Sequence, residues 1–181
     1  MVWRKEVDEI EQRRHLVEQG GIPYRIERQH ERGKLTVRER IAALADPGSF
    51  KEIGGLSGSE TYDGDRLVRV MPTGVVTGWC TLNGRKVVID AEDSTVRYDL
   101  PTKREVPFRK RMGGFAETTA VHWRVPHISL LDAPGASMRT YEISGRPEFV
   151  GLVPWPAVLW PLLSKVPVVS AAMGSIGGKQ P

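Results

Sequence analysis

A chain of 181 residues can enclose one substantial hydrophobic core with a small appendage, but not two large domains. Its 40% hydrophobic and 27% charged residues, with 19 Gly and 13 Pro, exclude a fibrous or wholly disordered polymer. A single cysteine, Cys80, excludes a disulfide framework and cysteine-rich zinc sites, and the formal charge of +4 is too small by itself to mark a nucleic-acid binder.

Residues 3–19 are dense in charge, with Val7, Ile10 and Leu16 as sparse apolar marks. They predict an exposed helix that ends at Gly20-Gly21. Pro23 suits the first position of a second short helix running toward Arg32. Thr36-Val37-Arg38-Glu39 has the form of a capping box, and Val37, Ile41 and Leu44 follow as one apolar stripe. Asp46-Pro47-Gly48-Ser49 stops that helix in a turn. Residues 50–56 predict a strand, and the polar residues 57–69 predict a mobile loop.

Asn83-Gly84 lies between two β-rich runs, residues 74–82 and 85–90, which predicts a tight hairpin because both turn residues must take positive φ. Cys80 falls on the first of these strands and is expected to pack as a small hydrophobe. A helix is expected within 101–123, bent or split by Pro107 and Gly113-Gly114. Residues 125–131 and 166–172 read as buried strands, with a helix over 156–164 between them. A hairpin followed by helix, strand, helix, strand predicts α/β layering, with ligands collected where strands end in glycine turns.

The charge is uneven. Arg97, Lys103, Arg104, Arg109, Lys110, Arg111 and Arg124 cluster against few acids, a pattern that attracts phosphate groups or simply forms a solvated face. No nucleic-acid motif accompanies it. The apolar stretch 152–173 is cut by Pro154, Pro156, Pro161 and Pro167, so it predicts core or a partner interface and no membrane span. Trp155 and Trp160 belong to that surface or core. The charged amino terminus shows no secretory signal, so a soluble cytoplasmic protein is expected. His15, His30, His122 and His127 lack metal-ligand spacing, no metal is expected, and no Ser-His-Asp arrangement is evident. Asp132 at a strand end reads as a turn or capping residue before a catalytic one. Gly177-Gly178 offers two adjacent backbone N–H groups, either as a tight turn or as an oxyanion site, where one donor contributes about 3 kcal/mol.

Residues Gln29-His-Glu-Arg-Gly-Lys-Leu-Thr-Val-Arg-Glu-Arg-Ile41 and Asp46-Pro-Gly-Ser-Phe50 resemble the amino-terminal signature of biotin-dependent acyl-CoA carboxylase β-subunits, of the propionyl-CoA carboxylase type. The resemblance continues through Gly74–Gly78, Leu82–Arg85 and Asp93–Val96. It is patchier at Val125-Pro126, Asp132–Ala136 and Met173–Gly178. It implies an α/β, crotonase-like fold of β-β-α layers, here as the amino-terminal half of a carboxyltransferase. Residues 1–46 would form a helical extension, and 47–181 a partial carboxyltransferase domain. It further implies an acyl-CoA substrate, an oxyanion hole from the amides of Gly177 and Gly178, and acyl-CoA contacts at Gly135 and Ala136. Arg109, Lys110 and Arg111 would be candidates for the CoA phosphates. Biotin would arrive on a separate carrier. Expected partners are a biotin carboxylase or carrier subunit and a second carboxyltransferase half or full-length subunit, in a homo- or hetero-oligomer. The same chemistry run backward gives a decarboxylase or transcarboxylase subunit, and loss of activity gives a non-catalytic assembly subunit.

Two departures from the family pattern stand out. Where relatives carry Asp-Ser-Gly-Gly-Ala-Arg-Ile, this chain has Asp132-Ala-Pro-Gly-Ala-Ser-Met138, without the arginine and with one N–H removed by Pro134. The final glycine loop is shorter and is followed by Lys179-Gln-Pro181.

Overall fold

The computed structural model describes residues 3–96, 114–132, 155–174 and 176. In chain order the elements are α1 (Arg4–Glu18), α2 (Pro23–Glu31), α3 (Val37–Leu44), β1 (Lys51–Ile53), β2 (Gly58–Asp63) and β3 (Arg66–Pro72). There follow β4 (Val75–Leu82), β5 (Arg85–Glu92), α4 (Phe115–Trp123), β6 (His127–Leu131), α5 (Trp155–Lys165) and β7 (Val168–Ala172).

Among the described residues β1, β4, β5, β6 and β7 form one sheet in that order. The β1–β4–β5 part is antiparallel, whereas β5, β6 and β7 run parallel. The antiparallel step is made by Asn83-Gly84, with φ of 51° and 76°, so the hairpin forms as expected. The parallel steps carry α4 before β6 and α5 before β7, the arrangement that parallel crossovers require.

Strand alternation divides the core. Ile89 and Ala91 of β5 pack with Val76, Leu130 and the α3 residues Val37 and Ile41 on one face. Val88 points the other way, into Ala116 and Ala120 of α4 and Leu162 of α5. A helical layer therefore covers each face of the sheet. The capping box of α3 is present: Glu39 N–H donates to the Thr36 hydroxyl, and the Glu39 carboxylate accepts from the Thr36 amide at 2.7 Å. Cys80 is fully buried, and burial pushes its thiol pKa upward.

Three expectations need correction. Residues 57–69 are not a loop, because β2 and β3 pair as a separate two-stranded sheet. The register shifts between Thr61 and Tyr62, opposite Val68, and this bulge reverses strand parity. Leu67 and Val70, three apart, consequently share one face and pack on Leu16 and Val17 of α1. Of the expected α3 stripe Val37 and Ile41 are buried, but Leu44 is 38% exposed and Arg40 is the third buried residue. β7 is not a buried strand. Among the described residues it lies at the sheet edge, with Val169 and Ser170 exposed, while Val168 and Ala171 are partly buried against the core clusters on the two faces. Of the two places expected for Trp160, core or interface, its 71% exposure excludes the core.

The expected helix over 101–123 is described only as α4, the rest lying outside the described residues. No described helix is long and apolar enough to cross a membrane.

Candidate active-site edge

The parallel strands β5, β6 and β7 end side by side, and the residues just beyond them form a buried polar cluster. The chain leaves β6 at Asp132 and β7 at Met173-Gly174, with the Met173 amide donating to the Leu131 carbonyl at 2.8 Å. Asp132 is the hub. Its Oδ2 accepts from Arg40 Nη1 at 2.5 Å, from the Ser94 hydroxyl at 3.2 Å and from Gln29 Nε2 at 3.5 Å. Its own amide donates to Glu92 Oε2 at 3.0 Å. The Arg40 and Asp132 side chains are 5% and 7% exposed, so this ion pair is almost wholly removed from water.

Each contributor is placed by a local rule. Arg40 sits on the buried side of α3, between Val37 and Ile41 and one helical turn after the Thr36 cap. Ser94 is presented by a turn that follows β5, in which Asp93 Oδ1 accepts from the Thr95 amide at 2.9 Å and the Thr95 hydroxyl at 2.6 Å. Gln29 is in the last turn of α2. Gly174 must be glycine for steric reasons, since a Cβ there would overlap the Asp132 carboxylate.

A second polar group lies within the sheet on the α4/α5 face. The Ser129 hydroxyl donates to Asp90 Oδ2 at 3.2 Å, and His127 Nε2 lies 2.8 Å from Asp90 Oδ1. That contact has ion-pair length without hydrogen-bond geometry, and among the described residues neither His127 ring nitrogen has a hydrogen-bond partner. Serine bonds to the aspartate and not to the histidine, so this trio is not a nucleophile–base pair.

Two exposed clusters complete the electrostatics. Glu39 is held at a pKa of about 2, well below its ordinary 4.5, chiefly by its hydrogen bond from His30 and next by the Thr36 amide. Asp46 accepts from the amides of Asn83 and Gly84 at 2.8 and 2.9 Å. Its pKa is lowered by the Thr81 side chain first and then by these two amides. The Asp46 turn therefore does more than stop α3, since it also locks the β4–β5 hairpin.

Gly177, Gly178, Gly135, Ala136, Arg109, Lys110 and Arg111 lie outside the described residues. Arg124 of the basic cluster caps the carboxyl end of α4, at the edge of the sheet where β6 begins, and is not gathered with Asp132. Asp132, read from sequence as a turn residue, is the centre of the cluster. Arg40, Gln29 and Glu92 were not anticipated there. The available signal was a charged residue on the apolar side of the α3 stripe, which demands a buried partner. Among the described residues no group of three or more His, Cys, Asp or Glu is placed to hold a metal ion.

Comparison with known proteins agrees with this layout. Residues 28–176 match the family model described as the carboxyl transferase domain. Over 91 residues the chain is 46% identical to a propionyl-CoA carboxylase β chain of Cereibacter sphaeroides, a match covering 50% of this chain and 18% of that protein. The structure of a transcarboxylase 12S subunit with methylmalonyl-coenzyme A and methylmalonic acid bound aligns with a TM-score of 0.57 and 29% identity. That alignment covers 78% of this chain and 28% of the other. A single-chain, multi-domain long-chain acyl-CoA carboxylase shares the fold with a TM-score of 0.60 at 24% identity, over 92% of this chain and 17% of that one. The matched stretch is under a third of the length of these relatives. With the family model matching residues 28–176, most of its length, the chain belongs to the carboxyl transferase domain family.

Proposed function

We propose that this chain is the acyl-CoA-binding part of a biotin-dependent carboxyltransferase, built as a crotonase-like lobe over 47–181 with a helical extension over 1–46. The observation that carries this reading is the side-by-side exit of β6 and β7, with Asp132 against Gly174, inside the span matched to the family. The two glycine-bearing segments of the resemblance, Asp132–Met138 and Met173–Gly178, thus begin from one edge. In the reaction proposed, the nitrogen–carbon bond of carboxybiotin breaks to release carbon dioxide, the α-carbon of an acyl-CoA forms a carbon–carbon bond to it, and the α-proton passes to the ring nitrogen left on biotin. The amides of Gly177 and Gly178 hold the thioester oxygen while it carries the enolate charge. Carboxybiotin on a separate carrier supplies the carboxyl group. Gly135 and Ala136 line the acyl-CoA, and Arg109, Lys110 and Arg111 offer charge to its phosphates.

The carboxybiotin half-site is assigned to a partner chain, so the 181 residues by themselves are expected to bind acyl-CoA without completing transfer. A cytoplasmic oligomer fits this reading, and Trp160 and Leu163, 71% and 58% exposed, are where a partner would be sought. Isothermal titration of the chain with propionyl-CoA tests the proposal. Saturable binding is expected, and no binding at millimolar ligand would overturn it.

The 12S relative, a methylmalonyl-CoA carboxyltransferase subunit, favours a reading in the reverse or transcarboxylase direction with the same enolate. A reconstituted complex given methylmalonyl-CoA as carboxyl donor distinguishes the two directions. Pro134, which removes an amide from the first segment, favours a non-catalytic assembly subunit. That reading predicts co-purification with a full-length carboxyltransferase and no acyl-CoA affinity.

A further inference from the structure

The Arg40–Asp132 cluster does more than fill a polar gap. The two oxygens of Asp132 are used differently: Oδ2 collects Arg40, Ser94 and Gln29, and Oδ1 faces Gly174 at the exit of β7. The backbone of Asp132 is fixed independently, through its amide on Glu92. The first residue after β6 is therefore immobilised at main chain and side chain, and through Oδ1 it sets how closely the chain leaving β7 can approach. One carboxylate fixes the starting points of both segments relative to each other. All four of its anchors come from outside β6 and β7: α2, α3, the last residue of β5 and the turn that follows it.

We infer that Arg40, Ser94 and Asp132 are positioning residues for recognition of the thioester carbonyl, acting by fixing the two chain exits from β6 and β7. This inference rests on the acyl-CoA reading above. Backbone donors stabilise a carbonyl oxygen only if they are held in place before it arrives, and a displacement of about 1 Å at such a site is enough to lose most of the effect. A cluster that served stability alone would not distinguish a thioester from a ligand of the same shape without the carbonyl.

That difference supplies the test. Propionyl-CoA and its propyl thioether share every group except the carbonyl oxygen. Affinities for both are measured by titration calorimetry on the full chain and on Ser94→Ala, Arg40→Lys, Arg40→Gln and Gly174→Ala, with thermal melts to establish folding. The wild type is expected to prefer the thioester. In the folded variants that preference falls by about three- to tenfold, the size of one hydrogen bond, while thioether affinity stays within about twofold. Arg40→Lys, which keeps the charge, retains more of the preference than Arg40→Gln. Infrared spectra of carbonyl-labelled propionyl-CoA show the bound stretch moving back toward its free frequency in the same order.

Ser94→Ala removes only one partly exposed donor, so a folded variant is available even if the arginine variants collapse. Full thioester preference in folded Ser94→Ala and Arg40→Lys overturns the positioning role and leaves the acyl-CoA reading standing. An equal loss for thioester and thioether also overturns it, because it marks a structural role. A wild type that binds neither ligand overturns the acyl-CoA reading itself.

Discussion

Asp132→Ala removes the partner of a guanidinium that is 5% exposed, and the cost follows from what Arg40 is left with. In the native chain Arg40 loses its hydration but gains a charge-assisted bond at 2.5 Å. Without the carboxylate it is a buried, uncompensated cation, and breaking a buried pair in this way costs about 3–5 kcal/mol. Ser94 and Gln29 lose an acceptor too, but both are only partly buried and can turn to water. For a chain of this size each kcal/mol moves the melting temperature by about 2–4 °C, so the expected fall is about 6–20 °C. Urea denaturation and calorimetry of Asp132→Ala, Arg40→Met and the double variant Arg40→Met/Asp132→Leu would measure it. The double variant retains neither charge of this pair and should lose about 1–3 kcal/mol less than the sum of the two single changes. A single Asp132→Ala that costs less than about 1 kcal/mol, with additive behaviour in the double variant, would show that Arg40 does not depend on Asp132.

Two further outcomes follow from the amino-terminal helices and the hairpin. Glu39 has a folded-state pKa of about 2 against an ordinary 4.5, so it binds fewer protons folded than unfolded. It therefore adds stability that is complete above about pH 4.5 and is lost as pH falls toward 2, a contribution reduced by solvent screening because its side chain is 44% exposed. Urea midpoints of wild type and Glu39→Gln should differ at pH 6 and draw together as pH falls from about 4.5 toward 2, and parallel curves would contradict this. Gly84→Val places a branched side chain at φ of 76° and should cost about 1–2 kcal/mol in the same assay, with the loss traceable to the β4–β5 hairpin by hydrogen exchange.

Features set by neighbouring residues could be read from the chain, and those set by distant pairing could not. The Thr36–Glu39 capping box and the Asn83-Gly84 turn each use a few consecutive residues and appear as expected. The β2–β3 pair escaped because its bulge at Val68 puts Leu67 and Val70 on one face, which erases the alternation that marks a strand. Residues 166–172 have the composition of a buried strand, yet β7 lies at the sheet edge, a matter of topology that composition does not encode. The candidate site was partly visible, as glycine turns after the last two strands. Its hub was not, because Asp132 meets Arg40 across 92 positions and Gln29 across 103.

Those separations also explain why the segment beginning at Gln29 bears on a site formed so much later in the chain. None of residues 29–50 was assigned a chemical role, yet Gln29 and Arg40 both reach the Asp132 carboxylate. Asp46 meanwhile closes the turn of the hairpin whose second strand, β5, pairs with β6. Val37 and Ile41 bury themselves against β5 and β6 and so hold α3 at the distance from which Arg40 can reach Asp132. A change in helix register at α3 would rotate Arg40 by about 100° per residue and replace the ion pair with an unpaired buried carboxylate. The spacing from Thr36 to Ile41 is therefore fixed by two requirements at once, the cap that starts the helix and the single arginine on its buried side. In this chain α2, α3 and the carboxyl ends of the parallel strands are joined through one aspartate.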